Sequence, residues 1–355
     1  MNLFILNKSH IQRFTRYKLS LNSYIDQESQ QFKYEGGNFV ASFEYIRTVK
    51  PGDTFRDWLV EVLGDRIHNK GCKVRVFKLS HASHRICKYE FKGEKVTIIA
   101  KFFGIPTGVI KKYNSYGSMN KEYENLKKAQ KIINVPEPIA TNREFNCVLA
   151  SKYVPGKPLF WYFKRRKELK EKLELIADML RKLHENTQTY YDKEKEFLKF
   201  HYVLNHLKIN QCMKKEYKYL LGKWWHNSLL DIKKGCMIHN DSTPVNFVFH
   251  KGRPFLLDFE LASRHGNFAC DLGILCAELK YYFARKGSSQ KAEPYIRHFL
   301  KRYSKDEKEF CKITKVIPFY MAYGLLRIAM FKSNTSYKDY PLREAKNCLE
   351  IIEKV

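Results

Sequence analysis

Three short apolar runs in the middle of the chain constrain the fold most. Met237-Ile238 and Phe247-Val248-Phe249 enclose a polar loop holding His239, Asp241 and Asn246, and Phe255-Leu256-Leu257 ends at Asp258. Lys251-Gly252-Arg253-Pro254 separates the last two runs with a turn signal, so the segment 236–260 predicts a strand, a loop and a β-hairpin. His239, Asp241 and Asn246 then lie on the loop, and Asp258 at a strand end. Such residues often do no more than cap turns. Phosphoryl transfer, however, needs one carboxylate to orient and deprotonate an acceptor hydroxyl, and oxygen ligands to hold a magnesium ion on the phosphates. Asp241 can supply the first, and Asn246 and Asp258 the second. Two spacings met together between apolar strands favour the chemical reading.

The spacing from His239-Asn240-Asp241 to Asn246 is that of the protein-kinase loop H-R-D-x-x-x-x-N, and Asp258 stands where the D-F-G aspartate stands. With Asp258-Phe259 and Asp271-Leu272, the chain resembles the aminoglycoside phosphotransferase and choline kinase branch of the protein-kinase-like superfamily. The resemblance covers roughly residues 73–290 and implies Asp241 as catalytic base, with Asn246 and Asp258 as Mg2+ ligands. For Asp271 it implies a buried brace of the catalytic loop, and a helix N-cap is an equal reading. Ile98-Ile99-Ala100-Lys101 is similar to the V-A-I-K strand, whose lysine meets ATP phosphates and a glutamate of the next helix. Glu122 and Glu124 are candidates for that glutamate, and family spacing favours Glu122. Val148 to Gly156 looks like the hinge, where backbone groups of Ser151 to Tyr153 would bond adenine. His184, ending Leu180-Arg181-Lys182-Leu183-His184, is expected to be structural.

Two features depart from protein kinases. No G-x-G-x-x-G precedes Lys101, so the turn Leu79-Ser80-His81-Ala82-Ser83-His84 would have to cover the phosphates with serine hydroxyls and backbone amides. Glu260 replaces the glycine of D-F-G, which argues against a flipping activation loop.

The fold class expected is α+β, a two-lobed protein-kinase-like fold. Residues 1–70 form an N-terminal extension, 71–155 a small antiparallel-sheet lobe that binds nucleotide, and 156–355 a larger, mainly helical lobe carrying catalysis and substrate binding. Within the extension, Asn38 to Phe43 is strand-like, and a helix starts at Asp53 or Thr54 and stops at Gly64. The small lobe has strands over 73–79, 85–91 and 96–103, then a helix over 119–133. Helices are expected over 173–184, 292–303, 306–331 and 340–353.

Composition narrows the acceptor. The chain's 65 Lys and Arg against 37 Asp and Glu give a net charge of +28 over 355 residues, a poor field for cationic aminoglycosides. A lysine-rich proteome would produce the same balance. The reading is an ATP-dependent kinase of a small, neutral or anionic alcohol, using ATP and Mg2+. The alternatives are a kinase acting on RNA or protein, or a non-catalytic nucleotide-binding pseudokinase. Phe160-Trp161-Tyr162-Phe163-Lys164-Arg165-Arg166-Lys167 mixes aromatics with bases as a nucleic-acid surface does, and also as a helix start with a solvated basic face does. Nine cysteines without a C-x-x-C pair are expected to be buried thiols in a reducing, cytoplasmic setting. The first residues do not read as a signal peptide, and the apolar stretch Val316 to Met330 is too short for a membrane span and contains Arg327.

Overall fold

The computed structural model describes residues 42–80, 82–106, 114–331 and 339–354, so most of the strand expected from Asn38 lies outside the described residues. The chain divides into two compact units, 1–121 with 139–152, and 122–138 with 153–355.

The small unit is a six-stranded sheet in the order β1-β2-β3-β4-β6-β5. Its strands are β1 (Phe43–Val49), β2 (Val74–Leu79), β3 (His84–Phe91), β4 (Thr97–Pro106), β5 (Pro138–Asn142) and β6 (Val148–Lys152). The expected meander is present: β2, β3 and β4 pair antiparallel in succession, and β6 then joins β4. Helix α1 (Thr54–Leu63) covers the sheet. Its start is fixed by Asp53, whose side chain accepts from the Arg56 amide at 3.0 Å, and its end by Gly64 at φ +52°, where a Cβ would be strained. Leu59, Val60 and Leu63 of α1 pack with Val74, Val76, Ile98, Ala100 and Ala150 of the sheet in one apolar core. Phe55 adds ring contacts at 5.1 Å to both Tyr89 and Phe145. β1 and α1, which the sequence reading assigns to an extension, are therefore structural parts of the small unit. The pairing of β1 with β2 and the burial of α1 are long-range, so the local pattern of residues 43–63 carries no sign of them.

The large unit contains helices α2 (Ser115–Gln130), α3 (Leu159–Tyr162), α4 (Arg166–Glu185), α5 (Lys193–His206), α6 (Gln211–His226), α7 (Ala269–Ala284), α8 (Glu293–Tyr303), α9 (Glu307–Phe331) and α10 (Asp339–Glu350), the first turns of α2 belonging to the small unit. Short strands β7 (Lys157–Pro158), β8 (Thr189–Tyr190), β9 (Lys234–Ile238), β10 (Phe247–His250), β11 (Arg253–Leu256) and β12 (Ser263–Gly266) form two three-stranded sheets, β11-β10-β7 and β12-β9-β8. The predicted hairpin is β10–β11. Its two-residue turn has Lys251 at φ +48° and Gly252 at φ +77°, the type I′ signature that matches strand twist.

Helix α9 matches the helix expected over 306–331, and its length and composition alone would suit a membrane span. Yet 78% of its apolar 18-residue stretch is buried within the protein, as in a core helix of the large unit. It crosses α7 at two glycines. A Cβ on Gly273 would stand 2.7 Å from the Tyr320 carbonyl carbon, and one on Gly324 would stand 2.8 Å from the Ala277 Cβ. Only hydrogen at both positions lets the two backbones approach this closely. Of the nine cysteines, none is in a disulfide; Cys212 and Cys311 are exposed, against the expectation that all are buried. Within the aromatic and basic run, Tyr162 and Phe163 are in the core, and the Arg165 guanidinium lies over the Trp161 ring.

Candidate active site

Strand β9 delivers the loop 239–246, and the β10–β11 hairpin returns the chain to Asp258 beside it. Two bonds tie the segments: the Leu257 amide donates to the Asn246 carbonyl at 2.9 Å, and His239 Nε2 donates to the Leu257 carbonyl at 2.8 Å. The His239 ring also meets Phe259 edge-on at 4.9 Å. His239 is thus a buried spacer between the two segments.

Asn240 and Asp258 both adopt the left-handed conformation, at φ +63° and +62°. Non-glycine residues hold that conformation only where the surroundings over-determine it. At Asn240 the surroundings are plain. Asp271, the third residue of α7, accepts from the His239 amide at 2.8 Å and from the Asn240 amide at 2.7 Å. Asn240 Nδ2 donates to the Leu261 carbonyl at 3.2 Å, and Lys199 Nζ donates to Asn240 Oδ1 at 3.3 Å. Of the two readings of Asp271, the brace is the one observed: Phe268 occupies the N-cap position and makes no side-chain cap bond.

Asp271 is fully buried and also meets His184 Nε2 at 3.0 Å, while His184 Nδ1 meets the Tyr303 hydroxyl at 2.9 Å. Burial alone would push the Asp271 carboxyl up. The His184 bond and charge, the charge of His239 and its amide outweigh burial and hold the carboxyl below its ordinary value. His184 is accordingly structural, as expected.

The Asp241 carboxylate is held at both oxygens. Asn246 Nδ2 donates to Oδ2 at 2.8 Å, and Arg327 Nη2 donates to Oδ1 at 2.7 Å. Arg327 Nη1 also donates to the Asn240 carbonyl at 2.9 Å. Arg327 lies on α9, one turn beyond Gly324, so the glycine crossing of α7 and α9 carries the guanidinium to the loop. In the sequence Arg327 stands only as a charge in an apolar stretch. A buried arginine in a core helix was the available signal, since such a charge needs a partner.

Glu122 on α2, Asp258 and Glu260 form a second cluster, with one carboxylate oxygen from each within 4.8 Å of the others and with Glu122 and Glu260 buried. The Asn125 side chain, one turn along α2, donates to the Phe259 carbonyl at 3.3 Å and anchors this helix to the Asp258 segment. An all-oxygen donor set of this kind suits a hard cation such as Mg2+ and not a soft, thiolate-seeking metal. The sequence pattern assigns Glu260 no ligand role.

In the small unit, Lys101 is buried on β4 opposite Ile86 and Leu149, its Nζ 5.0 Å from the Phe103 ring centre. Alternation places Ile98, Ala100 and Phe102 on the α1 face and Lys101 on the other. Ser151 pairs with Ile99 on β4, and Tyr153 follows at the point where the chain leaves the small unit. In the β2–β3 connection, His81 lies outside the described residues. The Ser80 hydroxyl donates to the Ser42 carbonyl at 3.1 Å, so this hydroxyl is already engaged.

The family model of the phosphotransferase enzyme family APH matches residues 106–310, more than half of the chain. The chain belongs to this family. No curated protein matches it in sequence. Among solved structures it is similar to choline kinase from Cryptosporidium parvum Iowa II, with 13% identity and a TM-score of 0.56 over 84% of this chain and 95% of that one. It is similar to the amicoumacin kinase hAmiN in complex with AMP-PNP, Ca2+ and Ami, with 17% identity and a TM-score of 0.54 over 79% and 88%. The ADP-bound aminoglycoside phosphotransferase APH(2'')-Ib shares 15% identity at a TM-score of 0.51 over 84% and 97%. These likenesses establish the expected fold class, an α+β protein-kinase-like fold with an antiparallel-sheet unit and a helical unit.

Proposed function

We propose that this phosphotransferase-family protein transfers the γ-phosphate of ATP to a hydroxyl of a small neutral or anionic molecule, with Mg2+. The observation that carries the reading is the Asp241 carboxylate, fixed at one oxygen by Asn246 and at the other by Arg327 on a loop braced by Asp271. A carboxylate oxygen offers two lone-pair directions, so each still has room for an acceptor hydroxyl. Asp241 then orients that hydroxyl and takes its proton as the phosphoryl bond forms. Asn246 and Asp258 are the metal ligands in this reading, and Glu260 joins Asp258 through its neighbouring carboxylate. Bound there, the ion would screen the charge of the β- and γ-phosphates.

Lys101 meets the phosphates, and Glu122 orients the site beside Asp258. Backbone groups of Ser151 and Tyr153 receive adenine. The buried Glu260 and the bond of Asn125 to Phe259 favour a segment that stays in place over one that flips. A cytoplasmic location agrees with nine unpaired thiols.

The test is ADP formation from ATP and Mg2+ with a panel of alcohols. Wild type is expected to turn over at least one, and Asp241→Asn to lose about 100- to 10,000-fold in kcat while still binding nucleotide. Full activity in Asp241→Asn, or no turnover of any alcohol by wild type, would remove the basis of the reading.

A further inference from the structure

We infer that the solvent face of helix α6 is a peripheral docking surface for an anionic lipid bilayer. The helix divides into two sides. Tyr217, Leu220, Leu221 and Trp224 are buried against the rest of the large unit. Successive residues of a helix turn by about 100°, so Lys215, Lys218, Tyr219, Gly222, Trp225 and His226 fall within about 120° of one another on the opposite side. All of these but Gly222 are exposed.

Two properties of this face point to a partner. The first is exposed aromatic surface. Among the described residues the large unit exposes three large apolar side chains, Tyr190, Tyr219 and Trp225, and two of them stand here, Tyr219 at 61% and Trp225 at 39% exposure. The second is positive charge without a counter-charge. The one acidic residue of α6, Glu216, lies outside the face and is paired with Lys346 at 3.0 Å. No carboxylate among the described residues pairs with Lys215 or Lys218.

Gly222 gives the face its shape. A glycine inside a helix is destabilising, and a Cβ at this position would meet nothing within 4 Å, so packing among the described residues gives no reason for it. Its missing side chain leaves the helix flush between Tyr219 and Trp225. A flat basic face tipped with Tyr and Trp suits a headgroup layer, where such rings settle at the boundary of water and hydrocarbon and lysines meet anionic lipid. Single-stranded nucleic acid is held instead in a basic groove with open ring faces. Here the surface is the convex side of a helix, and an ammonium already lies against each ring, Lys223 at 4.7 Å from the Tyr219 centre and Lys193 at 5.2 Å from that of Trp225.

The experiment measures sedimentation of the full chain with vesicles of phosphatidylcholine, alone or mixed with phosphatidylserine, and needs no turnover. Wild type is expected to bind the mixed vesicles, more weakly as salt rises, and to leave pure phosphatidylcholine unbound. A lysine near an anionic bilayer is worth a factor of about 5, so the double variant Lys215→Gln, Lys218→Gln should bind about 30-fold more weakly. The same charge change at exposed positions of α9, Lys312→Gln with Lys315→Gln, is the control and should retain binding. Brominated lipid should quench the tryptophan fluorescence of wild type more than that of Trp225→Phe, a difference that charge attraction alone does not produce. Melting temperatures check that each variant is folded. Absence of wild-type binding to the mixed vesicles, equal binding by the two double variants, or equal quenching in Trp225→Phe overturns the inference. Retention on single-stranded RNA that depends on Lys215 and Lys218, with no binding to vesicles, overturns it as well and assigns the face to nucleic acid.

Discussion

Replacing Asp271 by Asn tests the brace of the catalytic loop at its centre. The carboxylate accepts two backbone amides at 2.8 and 2.7 Å and meets His184 at 3.0 Å, all without solvent. Asn keeps one acceptor oxygen and turns an NH2 group toward the other amide, so one buried N–H loses its acceptor and faces a donor. Hydrogen bonds to a charged group are worth about 1.5–3 kcal/mol each, and breaking a buried charged pair costs about 3–5 kcal/mol. Retention of one bond places the expected loss at about 3 kcal/mol, a large part of the roughly 5–15 kcal/mol that keeps a protein folded. Chemical denaturation should show the midpoint falling with an unchanged slope. In a double-mutant cycle with His184→Ala, a coupling of about 1 kcal/mol or more is expected, because the two side chains are bonded to each other. A loss below about 1 kcal/mol, or simple additivity of the two substitutions, would refute the assignment of Asp271 as the brace.

The stability gap between wild type and Asp271→Asn should also depend on pH. The folded-state pKa of Asp271 is depressed, so its contribution is present above the unfolded value near 3.9 and lost as pH falls through the lower folded value; thermal melts from pH 7 downward should show the gap narrowing only below about pH 4. Glycine-to-alanine substitutions should have opposite signs in two helices. Gly273→Ala is expected to cost about 1–3 kcal/mol, because the new methyl meets backbone of α9, whereas Gly222→Ala on α6, where a Cβ meets nothing within 4 Å, should gain about 0.5–1 kcal/mol. Similar melting temperatures for the two variants would contradict the close crossing of α7 and α9.

The features legible in the sequence are those written over a few neighbouring residues. Asp53 and Gly64 mark the ends of α1 through local capping and a positive φ, and Lys251-Gly252 turns the hairpin through its own backbone preference. The loop from His239 to Asn246 and the position of Asp258 are legible for the same reason, since chemistry that needs fixed spacing along one loop leaves that spacing in the sequence. Boundaries shifted where a cap outside the apolar pattern intervened. Helix α2 starts at Ser115, not Met119, because the Asn114 side chain accepts from the Gly117 amide at 2.9 Å.

Other parts of the site come from distant segments. Arg327 reaches Asp241 across 86 residues of chain, and His184 reaches Asp271 across 87. Nothing near Arg327 in sequence distinguishes a partner of the catalytic carboxylate from an isolated charge in an apolar helix. The distinction arises only when Gly273 and Gly324 let α7 and α9 touch. Glu260 likewise looks like an ordinary charge until folding brings its carboxylate to Asp258, and Glu122, singled out by its spacing from Lys101, is placed beside Asp258 only by the fold. Torsional preference and capping act between neighbours, so the local elements and the spacing of the loop are already written in the chain. Tertiary structure alone decided which buried charges face one another, because that depends on helix crossings whose geometry no short stretch of residues contains.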